Sequence, residues 1–200
     1  MIAKAKPSKR EITRAKVITA AIACIHKEGF HAAHTNRIAE QAGVSWGVLQ
    51  YHFGDKDGLL QAVLDHIFDD FITTLSNTDL NGETLDARVQ QLIDAVWALV
   101  SQREYRVSIA ILRNAGKDQS STINGRKQIK AWASQMSSLW DDMFADDIRE
   151  STMSETARHL MFATLRGLAD EINPKAKLSK TAWQAERDAL ADAITFILRQ

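Results

Sequence analysis

The sequence predicts an all-α protein with an N-terminal three-helix, helix-turn-helix domain and a larger helical domain. Apolar residues recur at helical spacing along most of the chain, and only two of the 200 residues are proline. The stretch TNRIAEQAGVSWGVLQYHFGDK, residues 35–56, contains two short helical patterns joined by a tight turn. With 200 residues, 45% of them apolar, the chain can bury a core. We place the two domains at 1–55 and 56–200.

The first helix is predicted over Lys9–Glu28, after a basic tail of eight residues. Gly29 ends this helix, and Thr35 is expected to cap the next one. Cys24 lies in an apolar run, which is typical of a core thiol. The apolar stripe of the first helix consists of Ile12, Val17, Ile18, Ala21, Ile22 and Ile25.

The next two helices form the predicted helix-turn-helix. Gly43 supplies a left-handed backbone conformation that ends the first of them, and Ser45 caps the second, Trp46–Phe53. The helical pattern predicts that Val48, Leu49 and Phe53 pack inward. The side chains left to face outward, and therefore able to enter a DNA major groove, are those of Trp46, Gly47, Gln50, Tyr51 and His52.

A long connecting helix is predicted from Asp55, its cap, to Leu75. After a loop at 76–84, an amphipathic helix runs to Val100, and a shorter one is predicted over Tyr105–Asn114. A helix of about twenty residues follows the break at 116–121. Its stripe is rich in Met and Trp and consists of Ile129, Trp132, Met136, Leu139, Trp140, Met143 and Phe144. The last two helices are predicted at Ser154–Asn173 and Ser179–Gln200, with Pro174 between them.

The charge distribution favours a nucleic-acid partner at the N-terminal end. Residues 1–54 hold eight Lys and Arg against three acidic residues, a net charge of +5, and the rest of the chain carries −5. One cysteine excludes an internal disulfide framework and fits a reducing compartment. The sequence shows neither a membrane-spanning run nor a signal peptide, so we expect a cytoplasmic protein with no membrane partner.

The segment AEQAGVSWGVLQYHFGDKDGL resembles the TetR family of bacterial transcriptional regulators, whose motif is A-x-x-A-G-V-S-x-G-x-L-x-x-H-F-x-x-K-x-x-L. The resemblance implies that Lys56 clamps a phosphate and that the helix beginning at Trp46 faces DNA, including Val48. Val48 and Gln50 depart from the residues common in the family, so the base preference is expected to be its own. The full DNA-binding set is Thr35, Asn36, Arg37, Ser45, Trp46, Gly47, Val48, Gln50, Tyr51, His52 and Lys56.

The resemblance also implies a homodimer on a double-stranded, palindromic operator and a cavity for a small-molecule effector. It predicts a repressor that the effector releases. The expected cavity residues are Phe68, Phe71, Trp97, Arg113, Trp132, Met136 and Trp140, and other polar anchors are His66, His159 and Arg166. The expected dimer seam lies on the last two helices and includes Leu160, Met161, Ala163, Thr164, Gly167, Leu168, Trp183, Leu190, Ala193, Ile194 and Ile197.

Two other interpretations stay open. Asp141 and Asp142, in the run DDMFADD, could belong to an all-helical Mg²⁺-dependent diphosphate enzyme, although a second metal motif is missing from the sequence. Alternatively, a protein partner rather than a small ligand could control the regulator. We predict no cofactor and no catalytic residue. We also predict no metal site, because the H-x-x-H pair His31 and His34 lacks further ligands.

Overall fold

The computed structural model describes residues 7–115, 123, 125–147, 151–171 and 183–200. Within these residues it contains nine α-helices and no strand, so the all-α prediction is confirmed. The helices are α1 (Lys9–Glu28), α2 (Thr35–Ala42), α3 (Trp46–Phe53), α4 (Lys56–Ser76), α5 (Leu85–Val100), α6 (Arg103–Ala115), α7 (Gly125–Met143), α8 (Ser151–Glu171) and α9 (Gln184–Leu198).

The chain divides into two compact units, and the division falls inside α4. The first unit comprises Met1–Phe68 and Arg106–Gly125, and the second comprises Asp69–Tyr105 and Arg126–Gln200. The boundary expected from the sequence, at 55/56, falls at the beginning of α4 and stays a prediction. α4 is one uninterrupted helix of 21 residues, Lys56–Ser76.

The first unit is built around α1, which packs against α2, while α2 packs against α3. Its core includes Val17, Ala21, Ile38 and Leu49, each at most 1% exposed. Cys24 lies in this core, and its thiol donates a hydrogen bond to Oε1 of Gln41 at 2.7 Å. Burial raises the pKa of the Cys24 thiol, with a smaller contribution from Glu28, so the neutral thiol is favoured as expected for a core cysteine.

Local sequence signals fix most helix ends of this unit. Ser8 and Glu11 form a reciprocal capping box at the start of α1, and Gly29 ends that helix with φ of 88°. Asp55 caps α4, because its Oδ1 accepts a hydrogen bond from the Gly58 backbone N–H at 2.8 Å. The beginning and end of α1 therefore agree with the sequence prediction.

The predicted cap of α2 was wrong. Thr35 is the first residue of this helix, and His34 occupies the cap position with an extended backbone and no side-chain hydrogen bond. Only the His34 carbonyl contributes, by accepting the N–H of Ile38 at 3.0 Å. An imidazole in that position does not replace the hydroxyl or carboxylate that usually satisfies the first free amides.

Three apolar residues expected to face inward are exposed instead: Ile12, Val48 and Ile129. The buried part of α1 begins only at Val17, so the first turns of this helix, including Ile12, carry no core residue. On α3, only Leu49 and Phe53 are buried, because an eight-residue helix presents a narrow inward face.

The second unit has a core formed by α5, α8 and α9, which pack pairwise, and by the end of α7. Trp140 and Phe144 lie inside it with ring centroids 4.7 Å apart. The indole N–H of Trp140 donates to Oγ of Ser154 at 2.8 Å, so the one polar atom of this buried ring is satisfied. The core also contains Leu75, Val89, Leu92, Ile93, Val96, Trp97, Val100, Ala157, Met161, Leu165, Ala169, Leu190, Ala191, Ile194 and Leu198.

A buried arginine links two helices of this core. Arg187 of α9 is 3% exposed, and its Nη1 donates to Oδ1 of Asp94 on α5 at 2.5 Å. The guanidinium lies 5.4 Å from the ring centroid of Trp97. Pairing with a carboxylate and an aromatic face is what allows a guanidinium to lie within an apolar core.

The bounds of the last helices differ from prediction. α6 begins at Arg103, and α8 runs from Ser151 to Glu171. α9 begins at Gln184, because Trp183 has a left-handed backbone with φ of 59° and ψ of 33°. The predicted ends at Asn173 and Ser179, and Pro174 between them, lie outside the described residues.

No helix in the described part of the chain combines the length and the apolar character that crossing a membrane requires.

Gly58 is predicted to be irreplaceable in α4. A Cβ on this residue would lie 2.0 Å from the carbonyl oxygen of Phe53, a backbone atom that cannot move aside. We expect Gly58→Ala to lower the free energy of unfolding by about 1–3 kcal/mol, the usual cost of overpacking. Urea unfolding of the full chain at one protein concentration measures this. The control is Gly47→Ala, whose Cβ would meet its nearest atom at 3.9 Å; an equal loss in both variants would contradict the prediction.

Ser154→Ala should destabilise the second unit, because it leaves the buried indole N–H of Trp140 without its acceptor. We expect a loss of about 1–3 kcal/mol in the free energy of unfolding, the cost of an unsatisfied buried donor. The matched control is Ser138→Ala on α7, since that hydroxyl is exposed and bonds only to the backbone. Thermal and urea unfolding that show the same stability for both variants would contradict this role of Ser154.

Candidate DNA-binding site

The turn between α2 and α3 has a defined hydrogen-bonded geometry. Gly43 adopts φ of 60° and ψ of 41°, and its N–H donates to the carbonyl of Glu40 at 2.9 Å. The N–H of Val44 donates to the carbonyl of Ala39 at 3.0 Å. These two bonds are the Schellman pattern, which requires a left-handed residue and therefore favours glycine. Gly43 thus ends α2 as the sequence predicted.

Ser45, two residues later, caps the start of α3. Its backbone is extended, and its Oγ accepts the N–H of Val48 at 3.3 Å, as predicted for a helix cap. Leu49 and Phe53 then bury the inner face of α3. With both ends of the three-residue connection between α2 and α3 fixed, the outer face of α3 has a defined orientation on the first unit.

That outer face exposes an unusual set of side chains for an eight-residue helix. Trp46 is 51% exposed, Tyr51 73% and Val48 36%, and Gln50 lies exposed between them. Gly47 is also exposed, whereas His52 is half-buried. Large apolar side chains collected on one exposed surface mark an interaction site rather than ordinary solvent-facing helix. The structure therefore brings together the side chains that the sequence assigned to a DNA groove.

Cationic side chains lie against α3, beside the turn that precedes it and at the start of α4. The guanidinium of Arg10 lies 5.8 Å from the ring centroid of Tyr51, and that of Arg14 lies 4.9 Å from the centroid of Phe53. A Cβ on Gly43 would lie 3.4 Å from Nζ of Lys16, so that ammonium group adjoins the turn. Nζ of Lys56 lies 5.1 Å from the ring centroid of Phe30. Arg10 and Arg14 thus place two positive charges against α3, and Lys16 places a third beside the turn that precedes it.

The start of α2 carries the other predicted DNA contacts, and one of them has protein partners. Thr35 is half-buried, whereas Asn36 and Arg37 are exposed. The guanidinium of Arg37 lies 3.3 Å from a carboxylate oxygen of Glu28 and 3.4 Å from one of Glu40. Its hydrogen bond to Glu28 raises the pKa of Arg37 above its usual range. Arg37 therefore links α2 to the end of α1, in addition to the role predicted for it.

Sequence reasoning missed the contacts of Arg10 and Arg14 with α3. Their only signal in the sequence is the i, i+4 spacing, which places both on one face of α1. Which residues that face meets depends on the packing of α1 with the helix-turn-helix, so the aromatic partners could not be read from the chain itself.

The seven predicted effector-binding residues do not lie in one unit. Phe68 and Arg113 belong to the first unit and the other five to the second. Trp97 and Trp140 are buried in the core of the second unit, and Phe71 and Met136 are partly buried against it. Phe71 also lies 6.5 Å from Tyr105, centroid to centroid. Trp132 is half-buried and Arg113 is exposed, and the assignment of all seven to an effector site stays a prediction.

The aspartates of the enzyme alternative lie on the exposed side of the end of α7. Asp141 and Asp142 are both exposed. Across the described residues, no group of three or more His, Cys, Asp or Glu side chains is placed to hold a metal ion.

Comparison with known proteins identifies the N-terminal domain. Residues 17–63 match the family model of the bacterial regulatory proteins of the tetR family. Residues of this chain are 41% identical over 61 positions to the HTH-type transcriptional regulator BetI of Paraburkholderia phytofirmans, covering 30% of this chain and 31% of that protein. BetI of Burkholderia cenocepacia is 38% identical over 65 residues, 32% of this chain and 34% of its own. The chain thus matches about a third of the length of these curated relatives.

Solved structures share the fold over nearly the whole chain. GusR of Salmonella enterica has a TM-score of 0.70 at 19% identity, covering 97% of each chain. The TetR-family regulator PfmR of Thermus thermophilus has a TM-score of 0.68 at 13% identity, covering 90% of this chain and 97% of its own. A protein described as the superantigen PfiT scores 0.68 at 17% identity over 94% and 97% of the chains. The fold alone therefore does not define a function.

The helix-turn-helix, from the capped turn through the exposed face of α3 to Lys56, is the part in which sequence, geometry and family model agree. The relatives that match it are named HTH-type transcriptional regulators. Residues 17–63 of this chain thus carry a helix-turn-helix similar to that of the bacterial regulatory proteins of the tetR family.

Proposed function

We propose that this protein is a sequence-specific DNA-binding transcriptional regulator. The observation that carries the proposal is the exposed face of α3, which presents Trp46, Gln50 and Tyr51, with Nζ of Lys16 beside the turn that precedes it. An α-helix fits the major groove, where exposed side chains read base edges while nearby cations bind phosphates. A bacterial regulator acts where the chromosome lies, so we expect this protein in the cytoplasm.

The side chains on α3 indicate how bases are read. Gln50 has an amide that pairs with both N6 and N7 of adenine, and Val48 has only methyl groups, which fit the methyl group of thymine. Trp46 and Tyr51 offer apolar ring surface and one donor each. An operator with A·T pairs at the steps facing Val48 and Gln50 is therefore expected.

The second unit supplies a surface for a homodimer. Phe196 of α9 is 67% exposed and Leu160 of α8 is 39% exposed, and Met153 of α8 is also exposed. Gly167 of α8 has open space at its Cβ position, which would permit close approach of another helix. A two-fold dimer places two recognition helices about 34–36 Å apart, one turn of duplex, and reads a palindromic site.

Part of the seam expected from the sequence is used inside the protomer. Met161, Leu190 and Ile194 are buried in the core of the second unit. The proposed interface therefore consists of the residues on the outer faces of α8 and α9. The described part of the second unit exposes four large apolar side chains. Three of them, Met153, Leu160 and Phe196, lie on α8 and α9, and the fourth is Ile129.

We further propose that the regulator is a repressor and that a small molecule releases it. Support comes from the partly buried Phe71, Tyr105 and Met136, which are apolar side chains at the margin of the core in the second unit. An effector that binds one conformation more tightly by about 1–3 kcal/mol shifts the population enough for a useful response. The release is expected to change the separation of the two recognition helices so that they no longer fit both half-sites.

The proposed function is tested by selecting bound duplexes from a random DNA pool with the purified full chain at a fixed salt concentration. We expect enrichment of an inverted repeat, because a symmetric dimer reads the same half-site twice. A folded protein that enriches no duplex would overturn the proposal. The enriched duplex then serves to screen small molecules: release supports an effector, whereas a requirement for a second protein would favour control by a partner.

Substitutions of Lys56 and Gln50 should affect binding differently. Lys56→Ala should weaken binding to all duplexes and lower the slope of log affinity against log salt by about 1, because one phosphate contact is lost. Gln50→Ala should mainly relax base preference, with about 1–3 kcal/mol of lost discrimination at one position. Titrations of the enriched duplex and of a scrambled duplex at several salt concentrations measure both effects. Equal loss of discrimination in the two variants would contradict these assignments.

Phe196→Glu should dissociate the dimer, because it places a carboxylate in the proposed apolar interface. We expect sedimentation equilibrium to show a monomer, and affinity for the inverted repeat to fall towards that for a single half-site. The control is Ile129→Glu on α7, which changes an exposed apolar residue of the same unit outside the proposed interface. Dimers of equal stability in both variants would place the interface elsewhere.

A further inference from the structure

We propose that Arg10 of α1 is a positioning residue for Tyr51, holding the tyrosine ring in the orientation in which it meets DNA. The inference rests on the proposed function and extends it to a residue outside the helix-turn-helix. Arg10 also lies outside residues 17–63, the segment that matches the family model.

Most of the Tyr51 side chain is exposed to solvent, so the core does not hold its ring in place. The Tyr51 ring is 73% exposed, and the Arg10 guanidinium lies over it, 5.8 Å from the centroid. His52 approaches the same ring edge-on, with centroids 5.3 Å apart and planes at 81°. A cation on the face and an imidazole at the edge restrict the rotamers of a ring that solvent alone would leave free.

The start of α1 is held by hydrogen bonds, so the backbone that carries Arg10 has a defined position. Ser8 and Glu11 form the capping box around it: Oε2 of Glu11 accepts the Ser8 backbone N–H at 2.7 Å, and Oγ of Ser8 accepts the Glu11 N–H at 3.2 Å. One turn further along, Arg14 stacks on Phe53 at 4.9 Å. Two stacked pairs, Arg10 with Tyr51 and Arg14 with Phe53, therefore connect the first turns of α1 to the end of α3.

Ordering this ring before binding should increase affinity. A side chain that is already in its bound rotamer loses less conformational entropy when the complex forms. An arginine suits this role better than a lysine, because its planar, weakly hydrated guanidinium stacks on an aromatic face. The role differs from a phosphate contact, since it depends on the ring of Tyr51 and not only on the charge.

The experiment is a double-mutant cycle on the duplex that the wild-type chain enriches from the random pool. We expect Arg10→Ala to weaken binding about two- to fivefold, the range of an exposed cation–π contact, and to change the preference at the base step that Tyr51 meets. In a Tyr51→Ala background the same substitution should have little effect. Arg10→Lys should retain the salt dependence but lose part of the coupling to Tyr51.

The matched control is Lys9→Ala, which removes one positive charge from the neighbouring exposed residue of α1. A positioning role predicts that Lys9→Ala is independent of Tyr51. If Arg10→Ala weakens binding equally with and without Tyr51, or if its loss is accounted for by a salt slope lowered by about 1, Arg10 is a phosphate contact and the proposal is overturned.

A measurement without DNA separates failure of this inference from failure of the proposed function. In NMR spectra of the free protein, the side-chain protons of Arg10 should be shifted upfield by the ring of Tyr51, and Tyr51→Ala should abolish the shift. Absence of the shift overturns the stacked geometry. If the Arg10 protons show the expected upfield shift but the chain enriches no duplex, the stacked geometry stands. The role in DNA reading is then overturned together with the proposed function.

Discussion

The left-handed residue at Gly43 and the hydrogen bonds around it determine how α3 is presented. The carbonyls of Glu40 and Ala39 accept the N–H groups of Gly43 and Val44, and the hydroxyl of Ser45 then satisfies the first turn of α3. Because these contacts leave no free residue between the two helices, the direction of α3 follows from that of α2. The outer face of α3, which we propose as the DNA reader, depends on this turn.

The cations of the first unit have defined partners within the protein. Arg10, Arg14 and Lys56 each lie over a ring, and Arg37 is held by two carboxylates. Such partners hold the charged groups against the protein surface. Without a partner, a side chain extended into water would sample many positions. The first turns of α1 thereby become part of the proposed binding surface.

The second unit is organised by satisfied polar groups within an apolar core. Trp140 donates to Ser154, and Arg187 joins Asp94 to the face of Trp97. The first contact joins α7 to α8, and the second joins α9 to α5. The apolar residues of α8 and α9 that this core leaves exposed can contact another molecule, which we propose is a second copy of the chain.

Local features of the chain were determined by the sequence alone. Gly29, Gly43, Ser45 and Asp55 end or begin helices as expected, because a left-handed glycine or a capping oxygen acts within four residues. Helical periodicity likewise predicted the all-α class and most helix bounds. His34 shows the limit of such signals, since an imidazole there provides no cap and Thr35 begins α2. Tertiary structure alone decided that Val48 is exposed, that Met161 is buried, and that Arg10 and Arg37 find their partners on other helices. Periodicity defines the faces of one helix, but which neighbour covers each face depends on packing between residues far apart in the chain.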